Sequence, residues 1–385
     1  MKIVYLSNYF NHHQKPLADA LHKKLNGDFI FVETGGIPEF RKKLGYQELK
    51  APYVLKYKEN ENLVERLIKE ADVAIYGEAP LGLIKVRYNS GKLTFRDDES
   101  RYKKKNRYLK WPVYTYKSHW INKGYLLCAS SYAPIDYMLS GMSPKKCFRW
   151  GYFTKLKRYD SSEALMEKKG LKHPQGVSIL WTGRLIGLKH PEAAIFVAKG
   201  LKREGIDFEL NIIGTGKLEN KIKSQIQKFG LKDCVHMLGS MTPAEVRTHM
   251  EEADIFLFTS DRCEGWGAVL NESMNSGCAV VADGNIGSVP YLIKDGENGL
   301  IYKSTDWKDL YKNVSYLVHN PIERVQIGKK AYATMLSLWN GEVAAKNILE
   351  LCESILSKTE NPIKEGPCSN APLLMRTYKG MFKVL

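Results

Sequence analysis

At 385 residues the chain is too long for a disulfide-stapled scaffold and, at roughly 100–200 residues per domain, is sized for two globular domains. Hydrophobic residues make up 44% and charged residues 26%, enough apolar material for packed cores, which excludes a disordered chain. No stretch reaches the roughly 18 uncharged apolar residues of a spanning helix, and the opening MKIVYLSNYFNHH holds too short an apolar run for a secretion signal, so a cytoplasmic protein is expected.

Seven cysteines (Cys128, Cys147, Cys234, Cys263, Cys278, Cys352 and Cys368) show no C-x-x-C or other ligand spacing and read as reduced thiols. Lys and Arg number 58 against 42 Asp and Glu, and the excess is lopsided. Residues 1–170 carry 32 basic and 18 acidic side chains, or +14, whereas 171–385 carry 26 and 24, or +2. A field confined to the first half suits a polyanionic partner, either an anionic membrane surface or nucleic acid; a solvated lysine-rich face is the plain alternative.

In chain order, Lys2 to Ser7 reads as a buried strand and Pro16 to Leu25 as an amphipathic helix. Phe29 to Val32, Ala71 to Tyr76, Leu93 to Arg96 and Tyr125 to Ala129 are further strand candidates with helical or polar stretches between them. Such alternation predicts a parallel sheet with crossover helices. A polar, lysine-rich segment follows Trp150 to Phe153, and a second series begins: Val177 to Trp181, Phe208 to Ile213, Cys234 to Leu238, Ile255 to Phe258 and Ala279 to Ala282. The expected fold class is α/β with two doubly wound domains, 1–160 and 176–357, joined by a linker at 161–175. The tail 358–385 is expected to pack back on the first domain or to lie against lipid.

Ligands of parallel α/β sheets bind beyond the carboxyl ends of the strands, which directs attention to four loops. Gly183-Arg184-Leu185-Ile186-Gly187-Leu188-Lys189 precedes a helix and places two cations at an anion-binding position; Arg184 can fork onto phosphate oxygens while Lys189 acts as a point charge. Ile213-Gly214-Thr215-Gly216-Lys217 is neither a P-loop nor a dinucleotide fingerprint, because the required residues are replaced by Asn211, Leu218 and Glu219. It reads as a tight strand-to-helix turn. The third loop, Thr259 to Glu272, sets Glu264 and Glu272 eight residues apart around Gly265-Trp266-Gly267-Ala268-Val269. With a helix starting near Gly267, Glu272 lies more than one turn in and the carboxylates stand about 10 Å apart. That spacing suits a nucleoside-diphosphate sugar, with Glu264 on sugar hydroxyls, the amides around Gly267 on the diphosphate and Glu272 on the ribose diol. The plain alternative is a dipole-favoured helix-start Glu and a solvated Glu272. The fourth loop, Asp283 to Pro290, offers chiefly backbone.

Taken in order, G-R-L-x-x-x-K at Gly183 to Lys189, I-x-G-x-G at Ile212 to Gly216, A-D-I-F-L-F-T-S at Ala253 to Ser260, E-x7-E at Glu264 to Glu272, G-x-A-V-V-A at Gly277 to Ala282 and D-G-E-N-G-L at Asp295 to Leu300 resemble the donor domain of family-4 retaining glycosyltransferases. The resemblance implies a GT-B fold, two Rossmann-like domains facing a cleft. It implies a metal-independent, hexosyltransferase-type enzyme that needs no cofactor and moves sugar from a nucleoside-diphosphate sugar with retention. In it Arg184 and Lys189 neutralise the diphosphate, Glu264 contacts the sugar, Glu272 holds the ribose, and Gly214, Gly265, Trp266, Gly267, Ala268 and Val269 complete the donor site. No D-x-D triplet occurs in the chain, consistent with that expectation.

In the first half, S-N-Y-x-N-H-H-Q from Ser7 to Gln14, with L-T-F-R and L-C-A-S-x-Y-A, resembles a bacterial branch of surface polysaccharide assembly. That implies a glycan or lipid-linked acceptor and a peripheral position on the inner face of the plasma membrane. His13 and Arg96 are the catalytic candidates there, each with the alternative of a hydrogen-bonded structural role. A sugar phosphorylase or nucleotide-sugar hydrolase on the same fold is the rival enzyme. A basic nucleic-acid-binding protein, suggested by the cations and aromatics of Arg101 to Lys110, is the rival from another class; with no recognised module in the chain, no nucleic-acid partner is expected.

Overall fold

The computed structural model describes residues 1–39, 48–100, 122–172, 176–376 and 382–384. The first sheet consists of β1 (Ile3–Ser7), β2 (Phe29–Glu33), β3 (Val54–Lys56), β4 (Val73–Tyr76), β5 (Leu93–Asp98), β6 (Tyr125–Cys128) and β7 (Cys147–Arg149). Its order is β3-β2-β1-β4-β5-β6-β7, every pair parallel. The second consists of β8 (Val177–Thr182), β9 (Phe208–Ile213), β10 (Val235–Gly239), β11 (Ile255–Phe258), β12 (Ala279–Asp283) and β13 (Leu300–Tyr302), ordered β10-β9-β8-β11-β12-β13 and again all parallel. Strands such as β1, β4, β11 and β12 are buried along their whole length, as expected where helices cover both faces of a parallel sheet.

The strands read from sequence are present, within a residue or two of their expected ends. β3, β7 and β13 escaped notice because each has three residues, too few for an alternation to register. β5 runs on through Asp97 and Asp98, where a charged pair had signalled the strand's end. The carboxylates are accommodated because Tyr5 donates its hydroxyl to Asp97 and Tyr137 donates to Asp98.

The chain divides into two units, 1–155 with 338–375 and 384–385, and 156–337 with 376–383. The division differs from the expected one at both ends. The segment 161–175 is not a linker: Ser162–Lys172 is a helix of the second unit, and its Lys169 is buried, giving its ammonium to the carbonyls of Met250 (3.0 Å) and Ala253 (2.5 Å). Residues 338–357, expected in the second domain, belong to the first unit because the helix Gly341–Leu356 packs on the helix Lys15–Lys24. That approach requires glycine, since a Cβ on Gly341 would lie 2.7 Å from the Pro16 carbonyl carbon. The tail then runs beside β7, with Arg149 N–H bonded to Ser369 O and Ala371 N–H to Cys147 O.

Among the described residues no helix is long and apolar enough to cross a membrane. The basic-aromatic segment Arg101 to Lys110 lies outside the described residues.

Candidate active site

In a doubly wound sheet the ligand crevice opens where the strand order reverses. In the second unit that point lies between β8 and β11, so the loops that follow these two strands should carry the site. The loop after β8 is locked to the one after β9: Gly183 N–H bonds Ile213 O (3.0 Å), Leu185 N–H bonds Thr215 O (2.9 Å) and Leu218 N–H bonds Leu185 O (2.9 Å). Gly214 (φ 134°) sits at the point of closest approach, where a Cβ would fall 1.9 Å from Gly183 O. Arg184 is exposed at the rim, and the loop closes in a 3₁₀ turn, Gly187–Lys189.

Opposite it, the loop after β11 is tied down by Asp261 N–H to Leu188 O (3.0 Å) and by Thr259, whose hydroxyl donates to Lys189 O (2.7 Å) while accepting from Trp181 Nε1 (2.8 Å). The two loops thereby bring Lys189 Nζ onto Glu264 Oε2 as an ion pair whose members are 14% and 16% exposed. Glu264 N–H bonds Asp261 O (2.9 Å), and Glu264 O accepts from Gly287 N–H (3.4 Å) in the loop after β12. That last loop is held by Asp283, which accepts from Asn285 N–H (2.8 Å), Ser304 Oγ (2.8 Å) and Thr305 N–H (3.2 Å). Burial pushes its carboxyl up to about 6 against these hydrogen bonds.

In the third loop, the Trp266 ring is fully buried, with Nε1 donating to Asn271 Oδ1 (2.8 Å), and its carbonyl accepts from Ser288 Oγ (2.5 Å). The helix begins at Val269, not near Gly267, because Gly267 takes a left-handed φ of 78° over the Phe258 ring, where a Cβ would lie 2.3 Å from Cζ. Ala268 is then the N-cap and Glu272 lies in the first turn. Burial raises the Glu272 carboxyl to about 7, with Arg247 pulling the other way. Gly265 is buried, and Gly267, Ala268 and Val269 are partly exposed, leaving backbone at the surface of the site.

His13 and Arg96 belong to the first unit, and the other candidates to the second. The His13 amide bonds Asn11 Oδ1 (2.9 Å), and its ring lies 3.9 Å from that of His12 and stacks over Tyr152 at 6.1 Å and 17°. Tyr152 in turn donates to Glu99 (2.6 Å). Arg96 is engaged by the Gly77 carbonyl and by Asp98 (3.6 Å), while burial raises the neighbouring Asp97 carboxyl to about 7 against the Tyr5 hydrogen bond. The first sheet reverses between β1 and β4, and there Asn8 Nδ2 donates to Glu78 Oε2 (2.8 Å).

Sequence reasoning passed over Glu78, Thr259 and a His190–Asp261 contact of 3.3 Å. These are pairings between distant loops, and the strand order that creates them has no local signature.

Residues 162–334 match the sequence family described as Glycosyl transferases group 1. The amylovoran biosynthesis glycosyltransferase AmsK of Erwinia amylovora is 31% identical over 186 residues, 47% of this chain and 46% of that protein. The chain spans about half or less of the length of the curated relatives it matches. Among solved structures, Anabaena HepE in complex with UDP superposes with a TM-score of 0.65 at 14% identity, covering 93% of this chain and all of that one. The lipopolysaccharide outer core galactosyltransferase WaaB, in its apo form, gives 0.66 at 18% identity over 93% of this chain and all of its own. The two parallel sheets are those of the GT-B fold, and residues 162–334 are similar to the glycosyl transferases group 1 family.

Proposed function

We propose that the protein is a retaining, metal-independent glycosyltransferase of bacterial surface polysaccharide synthesis, taking a nucleoside-diphosphate sugar on the second unit and a glycan or lipid-linked acceptor on the first. The observation that carries this reading is the Lys189–Glu264 ion pair at the β8/β11 switch point. It sets a cation for a diphosphate beside a carboxylate for sugar hydroxyls, where an elongated ligand with both groups would lie. Similarity to a protein named for amylovoran biosynthesis supports the polysaccharide assignment.

In the transfer, the bond from the anomeric carbon to the diphosphate oxygen breaks, the bond to an acceptor oxygen forms on the same face, and that hydroxyl passes its proton to the departing phosphate oxygen. Negative charge growing on the leaving diphosphate is stabilised by Lys189, Arg184 and the amides of Gly267, Ala268 and Val269. Positive character at the anomeric carbon is favoured by the Glu264 carboxylate. Glu272 accepts from the ribose diol. The basic first half, +14 over residues 1–170, draws the protein to anionic membrane, where lipid-linked acceptors reside.

The test is a thermal-shift series with UDP, GDP and ADP, followed by transfer assays with sugars of whichever nucleotide binds. UDP is expected to respond, as HepE was solved with UDP. A nucleotide at about 100 times its Kd stabilises by roughly 2.7 kcal/mol. No response to any of the three would overturn the reading.

A further inference from the structure

His190 occupies a backbone position that its side chain does not favour. Its φ of 46° and ψ of 54° are left-handed, immediately before Pro191 opens the helix Pro191–Arg203. Glycine adopts this conformation freely, whereas a residue with a Cβ is strained there. A histidine in a glycine's place therefore suggests a task for the imidazole. Its Nε2 lies 3.3 Å from Asp261 Oδ2, and Asp261 is the residue through which the two loops of the site are joined. Asp261 N–H bonds Leu188 O (3.0 Å), its Oδ1 accepts from Cys263 N–H (2.8 Å), and its carbonyl accepts from Glu264 N–H (2.9 Å). One neighbour of His190 in sequence is Lys189, and three residues beyond Asp261 stands Glu264. The imidazole thus links the backbone that carries the cation to the backbone that carries the carboxylate.

We propose that His190 is a positioning residue: as imidazolium it clasps Asp261 and holds the Lys189 and Glu264 loops in the register that receives the diphosphate sugar. The proposal rests on the reading of Lys189 and Glu264 as donor ligands. The hydrogen bond to Asp261 raises the His190 pKa above its ordinary value; burial opposes this, and the charges of Asp261, of Glu192 on its own helix and of Asp283 at the end of β12 add to it. Lys189, the adjacent cation, is already paired with Glu264. The charged clasp therefore persists to higher pH than an ordinary imidazolium would and is lost as pH rises through the raised value.

The test compares wild type with His190→Gly and His190→Asn, using UDP, or whichever of UDP, GDP and ADP stabilises the wild type, between pH 7 and 9, where the diphosphate is largely ionised. Glycine fits the left-handed backbone, so His190→Gly should melt no lower than wild type. The ratio of wild-type to His190→Gly affinity should be about tenfold at pH 7 and fall toward one by pH 9, the Glu272 carboxyl, raised to about 7, titrating alike in both. His190→Asn, which tolerates the backbone and can still bond Asp261 without charge, should recover part of the affinity, and its ratio to His190→Gly should not change with pH. If His190→Gly binds like wild type at both ends of the range, the proposal is overturned. A fall in affinity that comes with a lowered melting temperature would assign the histidine to folding and overturn it equally. If the wild type binds none of the nucleotides, it is the functional reading that fails.

Discussion

Lys189 and Glu264 are 75 positions apart in sequence and meet as an ion pair. Each is an expected donor ligand, and each is the other's partner. The pair keeps the carboxylate compensated in a largely desolvated place, where a lone charge would be costly. A diphosphate sugar inserting there can take over both roles, phosphate oxygens for the ammonium and sugar hydroxyls for the carboxylate. Such an arrangement presents the site already ordered, and electrostatic catalysis needs that order.

Glu264→Gln should lower kcat by about 10²–10³, comparable with loss of another preorganised electrostatic group. Its negative charge is assigned to the transition state, so donor Kd should change much less. Steady-state kinetics together with direct donor binding would measure both, and near-full kcat would reject the role.

Glu272→Ala should behave differently. A contact to ribose, remote from the breaking bond, is about equally strong in ground and transition states, so its removal should raise donor KM by roughly 10- to 100-fold with kcat little changed. Loss of kcat at constant KM would show that the two glutamates have been assigned the wrong way round.

Gly214→Ala should destabilise the protein by about 3 kcal/mol or more. The new methyl group would meet Gly183 O at 1.9 Å, backbone against backbone, at a φ of 134°, which combines overpacking with strain. Denaturant unfolding gives the number, and a change below about 1 kcal/mol would mean that the loops can separate cheaply.

Asp283 makes stability depend on pH in a defined direction. Burial raises its carboxyl from 3.8 to about 6, so the native state holds the proton more tightly than the unfolded chain does. Its contribution is neutral below about pH 4, where both states are protonated, becomes unfavourable as pH rises from 4 to 6, and levels off above that at about 3 kcal/mol. In Asp283→Asn this component should vanish, so the stability difference between variant and wild type should shift in the variant's favour across that range. Parallel curves of unfolding free energy against pH would contradict it.

Much of the fold is legible because parallel strands buried on both faces leave continuous apolar runs; Ile255–Phe258 and Phe208–Ile213 were readable to the residue. Of the candidate site, Lys189 was picked out from one loop and Glu264 and Glu272 from another, each by residues close together in sequence, and the structure pairs Lys189 with Glu264. It was not legible where roles depend on the strand order. Nothing local in the sequence says that Trp266 turns inward to Asn271 while its neighbour Gly267 stays at the surface. Likewise, nothing near Asp261 announces His190, 71 positions away. That residues 338–357 join the first unit was hidden for a related reason: Gly341 meets Pro16 across more than 300 positions of sequence.

That contact between the start of Gly341–Leu356 and the helix Lys15–Lys24 bears on how the chain is made. The first unit is discontinuous, because part of its packing comes from residues 338–375. During synthesis from the amino end, the second unit, nearly all of it within 156–337, is complete while the first still lacks a helix against Leu17 and Leu21. Domains usually consolidate in order of emergence; here the later-encoded one can form nearly all of its structure first, and the earlier one must wait, with an apolar helix face uncovered, until residues 338–375 arrive. A chain cut just after the family match at residue 334 would retain the proposed donor loops and yet leave the first unit without its closing helix.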